Sequence, residues 1–235
     1  MEELYIANYG IVFGSIVIAL IHTLIGVDHY VPFIALSKSN NWSMRKSIFI
    51  VVVCGIGHVM GSVLLGFAGV GLFTAVDYLV NIEEIRGTVA AYTLIAFGII
   101  YTVYGVRCAV KNKTHTHTGI NGETIVHAHS HNDEGHAHAK NTGNIFWGLF
   151  IFFVLGPCEP LIPFIMYPAA TMNIFTLVLV TVSFSIVTIS VMVLMTILGI
   201  KGIELLKIKK IERYAHALAG CAILVCGLSV LLLPI

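Results

Sequence analysis

His22, Asp28, His29 and His58 offer imidazole nitrogen and carboxylate oxygen inside stretches that otherwise offer hydrocarbon. His22 and His29 stand seven residues apart and share a helix face, while Asp28 would lie about 120° round an ideal helix. His58 sits in Cys54-Gly55-Ile56-Gly57-His58-Val59-Met60-Gly61, among glycines that allow close helix approach. Imidazole suits nickel, cobalt, zinc or copper better than magnesium or calcium. The chemistry these residue types support is partial dehydration of a divalent transition-metal cation. The competing reading of each histidine is a hydrogen bond to a neighbouring helix.

A second acid, Glu159, lies in Gly156-Pro157-Cys158-Glu159-Pro160, where Cys158 adds a sulfur that is either a further ligand or a packing residue. Asp28 and Glu159 are the two carboxylates within apolar runs. Placing a charge at the centre of a bilayer costs at least about 2.5–3.5 kcal/mol, so such residues usually face a cavity, a partner or an ion. Pro32 follows Asp28 by four residues, and Pro163 follows Glu159 by four. A proline in a helix removes the hydrogen bond to the carbonyl four residues back, which here belongs to each acid. With Gly26, Gly156, Pro157 and Pro160 nearby, each acid is expected at a helix break that lines a cation path.

The segment Lys111 to Asn144 is polar and carries His115, His117, His127, His129, His131, His136 and His138, mostly as His-x-His. Neutral imidazoles at this density bind divalent transition metals. The segment reads as a mobile metal buffer or sensor and not as a domain. A loop of that kind does not hold a selective geometry across a bilayer.

The elements that position these residues follow from hydropathy. Apolar residues make up 57% of the 235 and charged residues 11%, against about 25% charged in a soluble domain. Six stretches are long enough to span a bilayer, near 11–36, 48–73, 88–110, 145–167, 175–198 and 215–233. The N-terminus lacks a signal-peptide pattern, so the first stretch is expected to remain as a helix. A net charge of +1 recruits no nucleic acid, and no phosphate loop or hydrolytic nucleophile is evident. Lys38, Arg45 and Lys46, then Arg107, Lys111, Lys113 and Lys140, then Lys201, Lys207, Lys209, Lys210 and Arg213 fall on the first, third and fifth connections. Arg86 alone lies on the other side. The positive-inside rule then places the histidine-rich loop in the cytoplasm and both termini outside a plasma membrane.

Asp28-His29-Tyr30-Val31-Pro32-Phe33-Ile34 matches Glu159-Pro160-Leu161-Ile162-Pro163-Phe164-Ile165 as acid, three residues, Pro-Phe-Ile. Each half holds three spans, so the halves would run oppositely. The expected architecture is an all-α polytopic membrane protein of six transmembrane helices in two inverted three-helix repeats, residues 1–110 and 145–235, joined by the loop 111–144.

His22-Thr23-Leu24-Ile25-Gly26-Val27-Asp28-His29 resembles the histidine–aspartate–histidine signature of nickel/cobalt transporters. The likeness is nearest to the NicO family and its UreH-like six-helix members. Five residues separate His22 from Asp28-His29, one more than in the nickel permease signature. Trp42, the Gly57-His58 pair and the mid-chain histidine-rich loop are also similar to that family. The resemblance implies transport of nickel or cobalt, with His22, Asp28, His29 and His58 as metal contacts. Zinc is a further candidate cargo, and no permanently bound cofactor and no enzymatic activity are expected. Protons are the candidate coupling ion, and a cytoplasmic loop that captures excess metal leans towards efflux. Gly-Pro-Cys-Glu-Pro also resembles the Pro-Cys turns of DsbD/CcdA thiol-redox membrane proteins, which need a cysteine in each half; the first stretch has none. A sulfite or sulfonate exporter of the TauE kind is a third reading, disfavoured because no basic residue lies well inside a predicted span.

Overall fold

The computed structural model describes residues 2–71, 76–111, 115–118, 124–127, 142–156, 158, 160–170, 173–205 and 214–232. Among the described residues eight α-helices follow one another: α1 (Glu2–Ile25), α2 (Val31–Ser39), α3 (Met44–Gly71), α4 (Val76–Lys111), α5 (Thr142–Leu155), α6 (Leu161–Ala170), α7 (Ile174–Leu205) and α8 (Ala215–Leu232). Five contain segments long and apolar enough to cross a membrane: Asn8–Ile25, Met44–Ala68, Glu84–Val110, Ile174–Leu205 and Ala215–Leu232. Their outward faces carry large apolar side chains such as Phe13, Phe49, Ile100 and Phe175. Helices apolar all round belong in lipid, and the chain is a membrane-embedded helical protein.

The first and fourth apolar stretches are not continuous helices. The first breaks after Ile25 into a single 3-10 turn, Val27–His29, before α2 begins. Pro32 lies in the first turn of α2, where its missing N–H breaks no helical bond. The break therefore falls upstream of the proline, and Asp28 sits in the turn itself. The fourth stretch breaks between α5 and α6, and Pro163 lies in the first turn of α6. At 14 residues α5 is too short to span a bilayer alone.

Helices α4 and α8 form the closest pair. A methyl at Gly98 would lie 2.6 Å from the Leu224 backbone nitrogen, one at Gly227 2.9 Å from that of Ile95, and methyls at Gly105 and Gly220 would overlap Ala217 and Thr102. Positions rise along α4 as they fall along α8, so the two run antiparallel, with backbones brought together by small residues. One apolar cluster joins this pair to α2, α3, α5 and α7, with Phe33, Leu36, Val51, Cys54, Leu94, Phe153, Met192 and Ile223 among its members.

Within the polar segment, expected to be mobile and not a domain, strands β1 (His115–Thr118) and β2 (Thr124–His127) pair antiparallel with His115 opposite His127. The run Thr124-Ile125-Val126 is β-branched and favours a strand. His129, His131, His136 and His138 lie outside the described residues.

Candidate metal centre

The break after α1 brings His22 and His29 together. Gly26 accepts, on its carbonyl, both the His29 backbone N–H (3.1 Å) and His29 Nδ1 (3.0 Å), which folds the imidazole back over the turn. The last carbonyls of α1 are met locally: His22 O takes the Gly26 N–H at 2.9 Å, and Leu24 O takes the Tyr30 hydroxyl at 3.2 Å. Gly26 has φ −69° and ψ 88°, a backbone open to any residue. The glycine is required for space: a methyl there would overlap His29 Nδ1 and lie 2.8 Å from its Cε1 and 3.1 Å from Asp28 Oδ1.

From α3, His58 completes the group. Its ring centroid lies 5.0 Å from that of His29 at 90°, and the His29 centroid lies 5.0 Å from that of His22 at 82°. One ligand atom from each of the three histidines lies within 4.8 Å of the others. Tetrahedral ligation at a metal–nitrogen distance of about 2.0–2.1 Å sets nitrogen separations near ~3.4 Å, so rotamer-scale closure is enough to complete such a site.

Second contacts fix which nitrogen faces inward. The His58 Nδ1 lies 3.2 Å from the Phe153 carbonyl, and His29 Nδ1 lies 3.0 Å from that of Gly26. A carbonyl only accepts, so each Nδ1 carries the proton and each Nε2 presents its lone pair. The Nε2 atoms of His22, His29 and His58 are all buried and none has a hydrogen-bond partner. Buried nitrogen without a partner costs on the order of 1–3 kcal/mol per group, and at His29 and His58 a group that accepts lone pairs would remove that cost.

Asp28 is not among the three converging groups. Its Oδ1 lies 3.4 Å from His29 Nδ1, and its side chain is 22% exposed. It stands beside the His29 Nδ1 whose nearer acceptor is the Gly26 carbonyl. Cys158 is fully buried in a separate apolar cluster with Ala19, Val59 and Leu161, and its backbone N–H donates to Ser62 Oγ at 3.1 Å. It is not in the histidine group, and Cys54 belongs to the other cluster. Glu159 lies outside the described residues.

Two residues were given no site role by sequence reasoning. The Phe153 carbonyl orients His58, and no residue type signals a backbone oxygen. Arg86, placed by its charged neighbours outside the third span, is within it. Its Nη2 donates to Val154 O (2.9 Å) and Gly156 O (3.4 Å) at the end of α5. Those orphan helix-end carbonyls contribute to accommodating the cation among apolar helices. His216 bonds Tyr101 at 2.9 Å, far along α4 from the break, as an interfacial structural residue would. In α7, Thr181 and Ser185 bond backbone carbonyls of their own helix, and Ser183 also meets Ser15 at 3.5 Å.

The chain matches no protein-family model, no curated protein and no solved structure.

Proposed function

We propose that this chain is a membrane transporter of divalent transition-metal cations, nickel or cobalt first and zinc next, with His22, His29 and His58 as the carrying site. The observation that carries the proposal is the convergence of three buried imidazoles whose Nε2 atoms have no partner. Asp28 orients His29 in this reading and adds negative charge near the cation. His58 lies near the middle of its span, Met44–Ala68, and the first break lies midway along Asn8 to Ser39. Both positions favour a site near the bilayer midplane, where secondary transporters hold their cargo.

In this reading α1 with α2, and α5 with α6, each supply one interrupted crossing, giving six crossings in two inverted halves. Packing supports the exchange: α1 lies on α7 as α5 lies on α3, and α2 meets α7 as α6 meets α3. The α3–α7 and α4–α8 pairs map onto themselves. Rocking of the halves around the fixed site would alternate access. The histidine-rich loop buffers metal on the cytoplasmic side, with a lean towards efflux, and protons released or taken up by the ligands are the coupling ion.

Flux of cobalt, nickel and zinc into liposomes carrying the purified chain, under imposed metal and pH gradients, tests the proposal. Wild type is expected to move cobalt or nickel, and His29→Ala and His58→Ala to abolish that movement while folding normally. Equal flux in all three proteins would remove the histidines from the mechanism. No observation favours the thiol-redox or anion-export readings over this one.

A further inference from the structure

The end of α5 is a socket shared by two residues from different helices. Beyond the last turn of a helix, carbonyls lack intrahelical donors. Here Phe152 O takes the Gly156 N–H at 2.8 Å, Phe153 O takes His58 Nδ1 at 3.2 Å, and Val154 O and Gly156 O take Arg86 Nη2 at 2.9 and 3.4 Å. His58 comes from α3 and Arg86 from α4, so one terminal turn of α5 is held from two sides. The spacing is close: a methyl on Gly156 would lie 3.3 Å from His58 Nδ1, and one on Gly61, a turn after His58, would lie 2.6 Å from Arg86 Nη2 and 2.9 Å from Val154 O.

We infer that Arg86 is a positioning residue for the metal centre: by holding the Val154 and Gly156 carbonyls it fixes the turn whose Phe153 carbonyl sets the His58 tautomer and ring direction. This rests on the proposed role of the three histidines. Arg86 acts through the carbonyls of Val154 and Gly156, one and three residues after the Phe153 carbonyl that meets His58. Without it, the α5 end has unmet carbonyls next to the one that orients His58. The turn then re-pairs with other donors, and His58 Nδ1 loses its fixed acceptor. An outer contact of this kind typically governs about 10- to 100-fold in metal affinity.

The test uses the full-length protein in lipid nanodiscs, with Co²⁺ as the probe and nitrogen-15-labelled histidine. Arg86→Met removes the donors at similar length, Arg86→Lys keeps a multiply donating cation, and Gly61→Ala leaves Arg86 in place but wedges its guanidinium off Val154. Arg86→Met and Gly61→Ala are each expected to weaken Co²⁺ binding by about 10- to 100-fold and to change the visible cobalt bands. Without metal, both are expected to convert the single His58 Nδ1–H signal, assigned with His58→Gln, into a mixture of tautomers. Arg86→Lys is expected to recover part of both effects. Folded Arg86→Met with wild-type affinity, cobalt bands and His58 tautomer overturns the inference. Failure of both Arg86→Met and Gly61→Ala to fold overturns it too, because the contact is then a fold requirement. If wild type binds no cobalt, the proposed function fails, while the metal-free His58 spectrum still decides the role of Arg86.

Discussion

The two helix breaks share a sequence pattern and divide the labour of the site between them. At the first, residues 24–30 satisfy one another: Gly26 O takes the backbone N–H and the Nδ1 of His29, Val27 O takes the Tyr30 N–H, and the Tyr30 hydroxyl reaches back to Leu24 O. At the second, the freed carbonyls of Phe153, Val154 and Gly156 are met by His58 and Arg86 from other helices. The first break carries ligands and is closed locally. The second carries no member of the histidine group and serves as an anchor for groups that come from a distance. One backbone device, an interrupted apolar helix, thus yields a donor turn in one place and an acceptor turn in the other.

Gly26→Ala is the strongest way to break this comparison. Its methyl would occupy the place of His29 Nδ1 and crowd Asp28 Oδ1 at 3.1 Å, so the ring has to leave the turn. The variant is expected to lose about 100-fold or more in Co²⁺ affinity, the upper range for a lost outer-shell partner or beyond. Overpacking adds about 1–3 kcal/mol of destabilisation. Isothermal titration and thermal melting in detergent measure both. Wild-type affinity would mean that the first break does not hold the ligand geometry.

Gly156→Ala sharpens the contrast. The added methyl meets His58 Nδ1 at 3.3 Å and the Phe152 and Phe153 carbonyls at 3.4 Å. Such contacts relax by a few tenths of an ångström. Crowding is offset by about 0.4–1 kcal/mol from the stiffer unfolded chain. Affinity is expected to fall by less than about 10-fold, with melting temperature nearly unchanged. An effect as large as that of Gly26→Ala would make the two breaks equivalent.

How much of this arrangement could be read from residue order differs between the breaks. Apolar runs located the long helices, because lipid demands about 20 apolar residues per crossing. Glycine and proline at 26, 32, 156 and 160 marked the interruptions, because both weaken helix continuity. The seven-residue spacing put His22 and His29 on one helix face, but α1 ends at Ile25 and it is the 3-10 turn that sets the two rings side by side. The side of His29 on which Asp28 falls was not legible, because a 3-10 turn rotates residues away from ideal helical angles. Nor was the link of Arg86 to α5: charge counting assigned it to a connection, and two of the groups it bonds are carbonyls, which every residue possesses. The strand pair 115–118 and 124–127 was hidden by the polar composition around its four-residue strands.

The helices that follow the breaks extend the comparison. Ser39 and Asn40, at the end of α2, join a hub around the Tyr101 hydroxyl: Asn40 Nδ2 donates to it at 2.8 Å, and Ser39 Oγ and His216 Nδ1 lie at 3.0 and 2.9 Å. The helix after the second break, α6, is held instead by buried Leu161, Ile162 and Ile165. Tyr101→Phe leaves buried polar groups unmet and is expected to cost about 1–3 kcal/mol, with Co²⁺ affinity kept, since the hub serves the far end of α2 and not the donor turn. Loss of affinity together with stability would show that α2 transmits strain to His29.

Lys38 offers the mildest probe of the same helix. It bonds Glu204 of α7 at 2.6 Å, but the side chains are 28% and 59% exposed, and water screens such a pair. Lys38→Met is expected to change stability by less than about 1 kcal/mol, and the small change should fade further in high salt. The difference between Tyr101→Phe and Lys38→Met then measures how far α2 depends on its buried hub and how little on its surface ion pair. Equal losses from the two variants, read as melting temperatures at low and high salt, would place the anchoring of α2 at the exposed pair and undo the contrast with α6.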